Sequence, residues 1–231
     1  MPEGADSQWC FAWHAPRIGE AGRDRAALTK AAKWTPGDTI TVSFLDGDPG
    51  VQEKVKAVAK SWTTPDLARL AFDFRKNTTK TLIRISFKFA GSWSVIGNTC
   101  KQITDITQPT MNYGWLKPTS TDEEIRRVVL HEFGHALGLI HEHQNPAGGI
   151  QWNRDAVTRD LSGPPNNWST DVIEHNMFET HKANETNFTA TDKDSIMMYP
   201  IPKNWTKNGF TVGLNTKLSA NDRKFIHAQY K

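Results

Sequence analysis

From Thr39 to Leu45 the chain alternates between polar and apolar residues, as a half-buried strand does. The turn signal Trp34-Thr35-Pro36-Gly37 precedes it, and Asp46-Gly47-Asp48-Pro49-Gly50 breaks it. The period then changes. Val51, Val55, Val58, Ala59 and Trp62 fall on one helical face opposite Lys54, Lys56 and Lys60, which predicts an amphipathic helix with a wet lysine face. Further strands are expected at Leu70–Phe74, Leu82–Phe89, Trp93–Ile96 and Thr110–Leu116. Two overlapping capping boxes, Ser120 with Glu123 and Thr121 with Glu124, announce a long helix carrying Ile125, Val128, Val129, Phe133 and Leu137. Beyond Gly138 the chain is richer in Gly, Pro, Asn and Trp, with short helical pieces and a final helix from Ser219 or Ala220 to Tyr230. Residues 1–33 show little periodicity and read as an N-terminal extension to a domain spanning 34–231.

Composition narrows the class. With 231 residues, 37% hydrophobic and 23% charged, the chain can bury one sizeable core or two small lobes. Its mean hydropathy is −0.58, and no apolar run approaches the roughly 20 residues of a membrane-spanning helix. Lys+Arg 28 against Asp+Glu 25 leaves a net charge of +3, scattered along the chain, which argues against nucleic acid and membrane partners. Met1-Pro2-Glu3-Gly4-Ala5-Asp6 carries neither a basic flank nor an apolar stretch, so no secretory leader is expected here. Asn-x-Ser/Thr sequons begin at Asn77, Asn167, Asn184, Asn187 and Asn204, which fit secretion without establishing it.

The chemistry is concentrated in His131-Glu132-Phe133-Gly134-His135-Ala136-Leu137-Gly138-Leu139-Ile140-His141. Residues four apart share a helix face, so His131 and His135 direct their imidazoles at one point with Glu132 beside them. On a continuous helix His141 would point elsewhere. The chain must therefore turn, and Gly138 can take the positive φ that ends a helix and returns His141 to the same point. Three His ligands leave a zinc ion one open position, the arrangement of a catalytic rather than a structural site. Glu132 is then the general base for a water attacking a carbonyl, and peptide hydrolysis is the expected reaction.

These residues resemble the metzincin metalloproteases, and among them the bacterial and fungal astacin-like enzymes. Glu142 follows the third His directly, and Ser195-Ile196-Met197-Met198-Tyr199 is similar to their Ser-x-Met-x-Tyr Met-turn. Trp34-x-Pro-Gly and Gln108-Pro109-Thr110-Met111-Asn112-Tyr113 extend the similarity over about residues 34–231. The resemblance implies an α+β fold. An upper lobe at about 34–138 would hold a twisted mixed sheet and two long helices, and an irregular lower lobe at about 139–231 would end in a C-terminal helix. It further implies one catalytic Zn²⁺ on His131, His135 and His141, with Met197 as a structural floor and Tyr199 as a further, displaceable ligand that stabilises the transition state. An edge strand within Ser92–Gly97 would pair with protein or peptide substrates, and the enzyme would be a secreted monomer. A different class also fits: a catalytically silent or latent zinc-binding protein of the same fold that holds a peptide or glycan in its cleft.

Two cysteines cannot supply the two disulfides usual in animal astacins, and the extension before Trp34 leaves the partner of Glu142 open. Cys10 has two readings. Its thiolate can fill the open zinc position as a latency ligand, or it can form a disulfide with Cys100. His143 lacks the motif's spacing and reads as solvated or hydrogen-bonded near the site. His14, His175, His181 and His227 belong to no ligand pattern, and the nine Trp residues, without a repeat, read as core and cleft walls rather than a carbohydrate surface.

Overall fold

The structure is a computed structural model that describes residues 10–13, 32–76, 80–145, 148–180 and 191–231. It is a mixed α+β fold built on a six-stranded sheet. In chain order the strands are β1 (Cys10–Trp13), β2 (Thr39–Phe44), β3 (Ala71–Phe74), β4 (Ile83–Ser86), β5 (Ser92–Val95) and β6 (Met111–Tyr113). Their spatial order is β1-β5-β6-β4-β2-β3, with β5 antiparallel to β6 and every other pair parallel. The helices are α1 (Pro49–Ala59), α2 (Asp122–Ala136), α3 (Arg154–Ser162), α4 (Thr170–Ile173) and α5 (Ala220–Tyr230). No described helix is long and apolar enough to cross a membrane.

Helix α2 begins where the chain offers a cap. Of the two capping boxes, Thr121 is the one used, its hydroxyl accepting from the Glu124 N–H, while Asp122, Glu123 and Glu124 place negative charge on the positive end of the helix. The Glu124 carboxylate does not close the box; it accepts from Trp115 Nε1 and from Arg127. The apolar face of α2 (Ile125, Val128, Val129, Phe133) packs against α1, through Val51, Val55 and Ala59, and against the sheet. Phe133 meets Phe72 edge-on at 4.9 Å. Three long-range hydrogen bonds pin the helix's C-terminal half: Trp62 Nε1 to Leu130 O, Trp34 Nε1 to Ala136 O, and the Tyr230 hydroxyl to Leu137 O. Burying these large side chains while satisfying their polar tips fixes α2 in both rotation and height.

Two expectations change. The strand at Ser92–Val95 is not the sheet's edge: Cys10–Trp13, from the N-terminal extension, lies outside it in parallel register, Cys10 opposite Ser92 and Trp13 opposite Val95. The Cys10–Cys100 disulfide is absent, both residues being buried free thiols. Cys10 is drawn onto the sheet's outer strand, whereas Cys100 is buried in the short turn Gly97–Gln102 beside Lys101 and Arg84. Of the sequons, Asn167 and Asn204 are exposed, and Asn77, Asn184 and Asn187 lie outside the described residues.

Candidate metal centre

Helix α2 ends in a Schellman turn. Gly138, at φ 93°, donates to His135 O at 2.8 Å, and Leu139 donates to Gly134 O at 3.0 Å. A side chain at 138 would strain the backbone, and without that left-handed step His141 would leave along the helix axis. Instead the three imidazoles converge. His135 Nε2 stands 3.1 Å from both His131 Nε2 and His141 Nε2, and all three residues are buried.

Each ring is turned the same way by an acceptor behind it. His131 Nδ1 donates to Ile196 O at 2.8 Å, His135 Nδ1 to Leu139 O at 2.9 Å, and His141 Nδ1 to Gln144 Oε1 at 3.2 Å. The acceptors fix the proton on Nδ1 and leave three Nε2 lone pairs facing one another. Burial keeps the rings neutral: it holds the His131 and His141 pKa values well below the usual range and brings His135 down to about 4. Three convergent lone pairs without a proton between them repel, so the arrangement calls for a cation. Zn–N bonds of about 2.0–2.1 Å in a tetrahedron put ligand atoms roughly 3.3 Å apart, close to the observed separation. The trio can hold a metal ion.

Glu132 lies beside the trio, fully buried, and among the described residues neither carboxylate oxygen meets an N–H or O–H donor; its neighbour is the Cys10 thiol. Burial raises its pKa well above the ordinary carboxylate range, the Cys10 thiol and the Arg127 guanidinium opposing this. Met197 lies against the helix that carries His131 and His135. Its sulfur packs against Gly134 so closely that a Cβ there would overlap it. Tyr199 stands over His141, ring centroids 4.3 Å apart, and its hydroxyl donates to the backbone carbonyl of Cys10. Desolvation raises the phenol's pKa well above its ordinary value. Cys10 reaches the same place: its sulfur, a His131 ring nitrogen and a Glu132 oxygen all lie within 4.8 Å of one another. The thiol's pKa is likewise pushed up, by burial first and by the Glu132 charge second.

Several contributors carry no motif signature. Asp222 accepts from the Ser195 hydroxyl at 2.7 Å and from Ile196 N–H at 2.9 Å, and so holds the segment whose carbonyl orients His131. Only the Ser219-x-x-Asp222 capping spacing at the start of α5 hinted at it. His143 is not solvated. It is buried, donates from Nε2 to Asn176 O at 2.7 Å, and stacks on Tyr199 with centroids 4.6 Å apart. Glu142 turns away from the trio to accept from Asp192 N–H and Asn145 Nδ2, and burial raises its pKa to about 7. His175 pairs with Glu179, His227 is exposed, and His14 and His181 lie outside the described residues.

No protein-family model matches the chain, and no curated protein sequence does. Two solved structures of myroilysin do match. One is 40% identical, with a TM-score of 0.82 over 87% of this chain and 97% of that chain. The other is 37% identical, with a TM-score of 0.70 over 98% of this chain and 93% of that chain. The match covers most of both chains, and on that identity and coverage the protein belongs to the myroilysin family.

Proposed function

We propose that the protein is a zinc-dependent endopeptidase of the metzincin type, similar to astacin-like enzymes, in a latent form. The observation that carries this reading is the convergence of three imidazole nitrogens, His135 Nε2 standing 3.1 Å from each of the other two, beside the buried carboxylate of Glu132. The likeness to myroilysin supports a protease. A bound zinc ion would supply Lewis-acid polarisation of a carbonyl and lower the pKa of water. His131, His135 and His141 would hold it.

The chain's own groups then divide the work. Glu132 takes a proton from the attacking water as its carboxylate, a form that burial opposes and a cation on the trio would favour, and returns it to the leaving amine. Tyr199, protonated by burial, donates a hydrogen bond to the developing oxyanion once its hydroxyl is freed from Cys10, and the resemblance makes it a displaceable metal ligand as well. The β5 backbone supplies a template for an extended peptide. In this structure β1 covers that template, and Cys10 places its thiol beside His131 and Glu132. Cys10 is therefore proposed as the latency ligand, a metal ion favouring its thiolate against the effect of burial. Secretion, action as a monomer and protein or peptide substrates belong to the same proposal and rest on the resemblance.

The test is hydrolysis of casein or a quenched peptide before and after proteolytic removal of the segment ahead of Lys33, with and without phenanthroline. Cleavage that appears on removal and disappears with the chelator is expected. A trimmed, metal-loaded protein that cleaves nothing would leave a binding protein instead.

A further inference from the structure

The three Nδ1 acceptors are not alike. Ile196 O and Leu139 O are backbone atoms that move only with the chain, whereas His141 is aimed by a side chain, Gln144. That side chain is itself clamped. Gln144 is buried, and its Nε2 donates to His175 O at 2.7 Å. A carbonyl can only accept, so the amide nitrogen must face His175 and the amide oxygen must face His141.

The local helix explains why His175 O is available. Residues Glu174–Phe178 form a π-turn closed by Glu179 N–H to Glu174 O at 3.0 Å, after which Glu179 becomes extended at ψ 133°. The chain leaves the helical path at Glu179, and carbonyls at this negative end of the helix accept from donors outside it. Gln144 Nε2 takes His175 O and His143 Nε2 takes Asn176 O, both at 2.7 Å. The π-turn and the segment carrying the third ligand therefore satisfy each other, a use consistent with the tendency of such turns to occur at functional sites.

We propose that Gln144 is a positioning residue for the metal centre: anchored on the His175 carbonyl of the π-turn, it fixes the orientation and tautomer of His141 and so sets the affinity and geometry of metal binding. The inference rests on the reading of the trio as a metal site. Loss of an outer hydrogen bond of this kind weakens metal binding by about 10–100-fold.

The experiment uses the full chain. Zn²⁺ affinity is measured by competition with a chromophoric chelator, and the Co²⁺ form gives an absorption spectrum that reports ligand geometry. Gln144→Leu should weaken Zn²⁺ binding by about 10–100-fold and alter the cobalt bands. Gln144→Glu, which keeps an acceptor for Nδ1 but loses the donor to His175 O, should recover part of the affinity and serves as the test if the Leu variant does not fold. In trimmed enzyme at saturating zinc, KM for peptide should stay unchanged while kcat falls. Wild-type affinity and wild-type cobalt bands in Gln144→Leu overturn the inference and leave the metal site standing. Equal losses in the Leu and Glu variants also overturn it, since an acceptor kept at His141 Nδ1 would then make no difference. Absence of stoichiometric binding in the wild type overturns both.

Discussion

Gly134 lies inside a helix, where glycine costs about 1 kcal/mol relative to alanine, so its presence asks for a packing reason. The Met197 sulfur supplies one, occupying the space a Cβ would need, with Trp62 close behind. Gly134→Ala should displace Met197 and destabilise the protein by about 1–3 kcal/mol, read as a lower thermal midpoint together with weaker zinc binding. An unchanged midpoint would mean that Met197 moves at no cost. Glu132→Gln separates chemistry from structure differently. It is nearly isosteric and breaks no N–H or O–H hydrogen bond from a described residue, so fold and zinc content should persist while kcat of the trimmed enzyme drops by about 10²-fold or more. Full activity, or lost metal, would refute the assignment of Glu132 as base. The residues legible from sequence are those whose relation is local: His131, Glu132 and His135 through helical spacing, His141 through Gly138. Gln144 and Asp222 were not legible, because they reach a carbonyl, a hydroxyl and a backbone amide 26 to 31 residues away, which spacing cannot address.

The strands were legible from their alternation, but their ends were not. Leu82–Phe89 reads as one strand, yet the ladder covers only Ile83–Ser86. Beyond it, Phe87 N–H donates to the Asp46 carboxylate and Phe89 N–H to Asn112 Oδ1, so side chains replace the neighbouring strand as acceptors. Helix ends fared better, since Thr121 and Ser219 cap by short-range bonds that a sequence can spell out. Thr121→Ala should cost about 1 kcal/mol by denaturant midpoint, the value of one helix cap. Strand β1 is the opposite case: four residues, stabilised by pairing with β5 rather than by any pattern of their own. Its position makes a distinct forecast. Removing the segment ahead of Lys33 should expose the outer edge of β5, and hydrogen exchange should then quicken in Ser92–Val95 while β2 and β4, interior to the sheet, keep their protection. Equal protection of β5 before and after removal would show that β1 does not cover it in solution.

The protein buries two thiols without joining them, and this has a consequence for its alkaline stability. Cys100 is enclosed in the core, and desolvation pushes its pKa from 9.0 to about 12 although Arg84 and Lys101 pull the other way. Between those values the unfolded chain has released the thiol proton while the folded protein still holds it. The folded state then binds more protons, so stability must fall as pH rises through that window, having been complete below about 9. A displacement of this size corresponds to a loss on the order of 4 kcal/mol, reached only at the top of the window. Tyr230, raised to about 12 by burial at the end of α5, adds to the same slope from above its ordinary value of 10.0. Cys100→Ala removes one ionisation and a small amount of packing. Its urea midpoint should be lower than wild type at pH 8, but the gap should narrow or reverse by pH 10.5, because only the wild type carries the thiol's cost. Parallel decline of the two proteins would assign alkaline unfolding to other groups. Thiol titration at pH 8 sharpens the point: the folded chain should present no readily reactive thiol and the denatured chain two, while trimming ahead of Lys33 removes Cys10 and leaves Cys100 unreactive until the core opens.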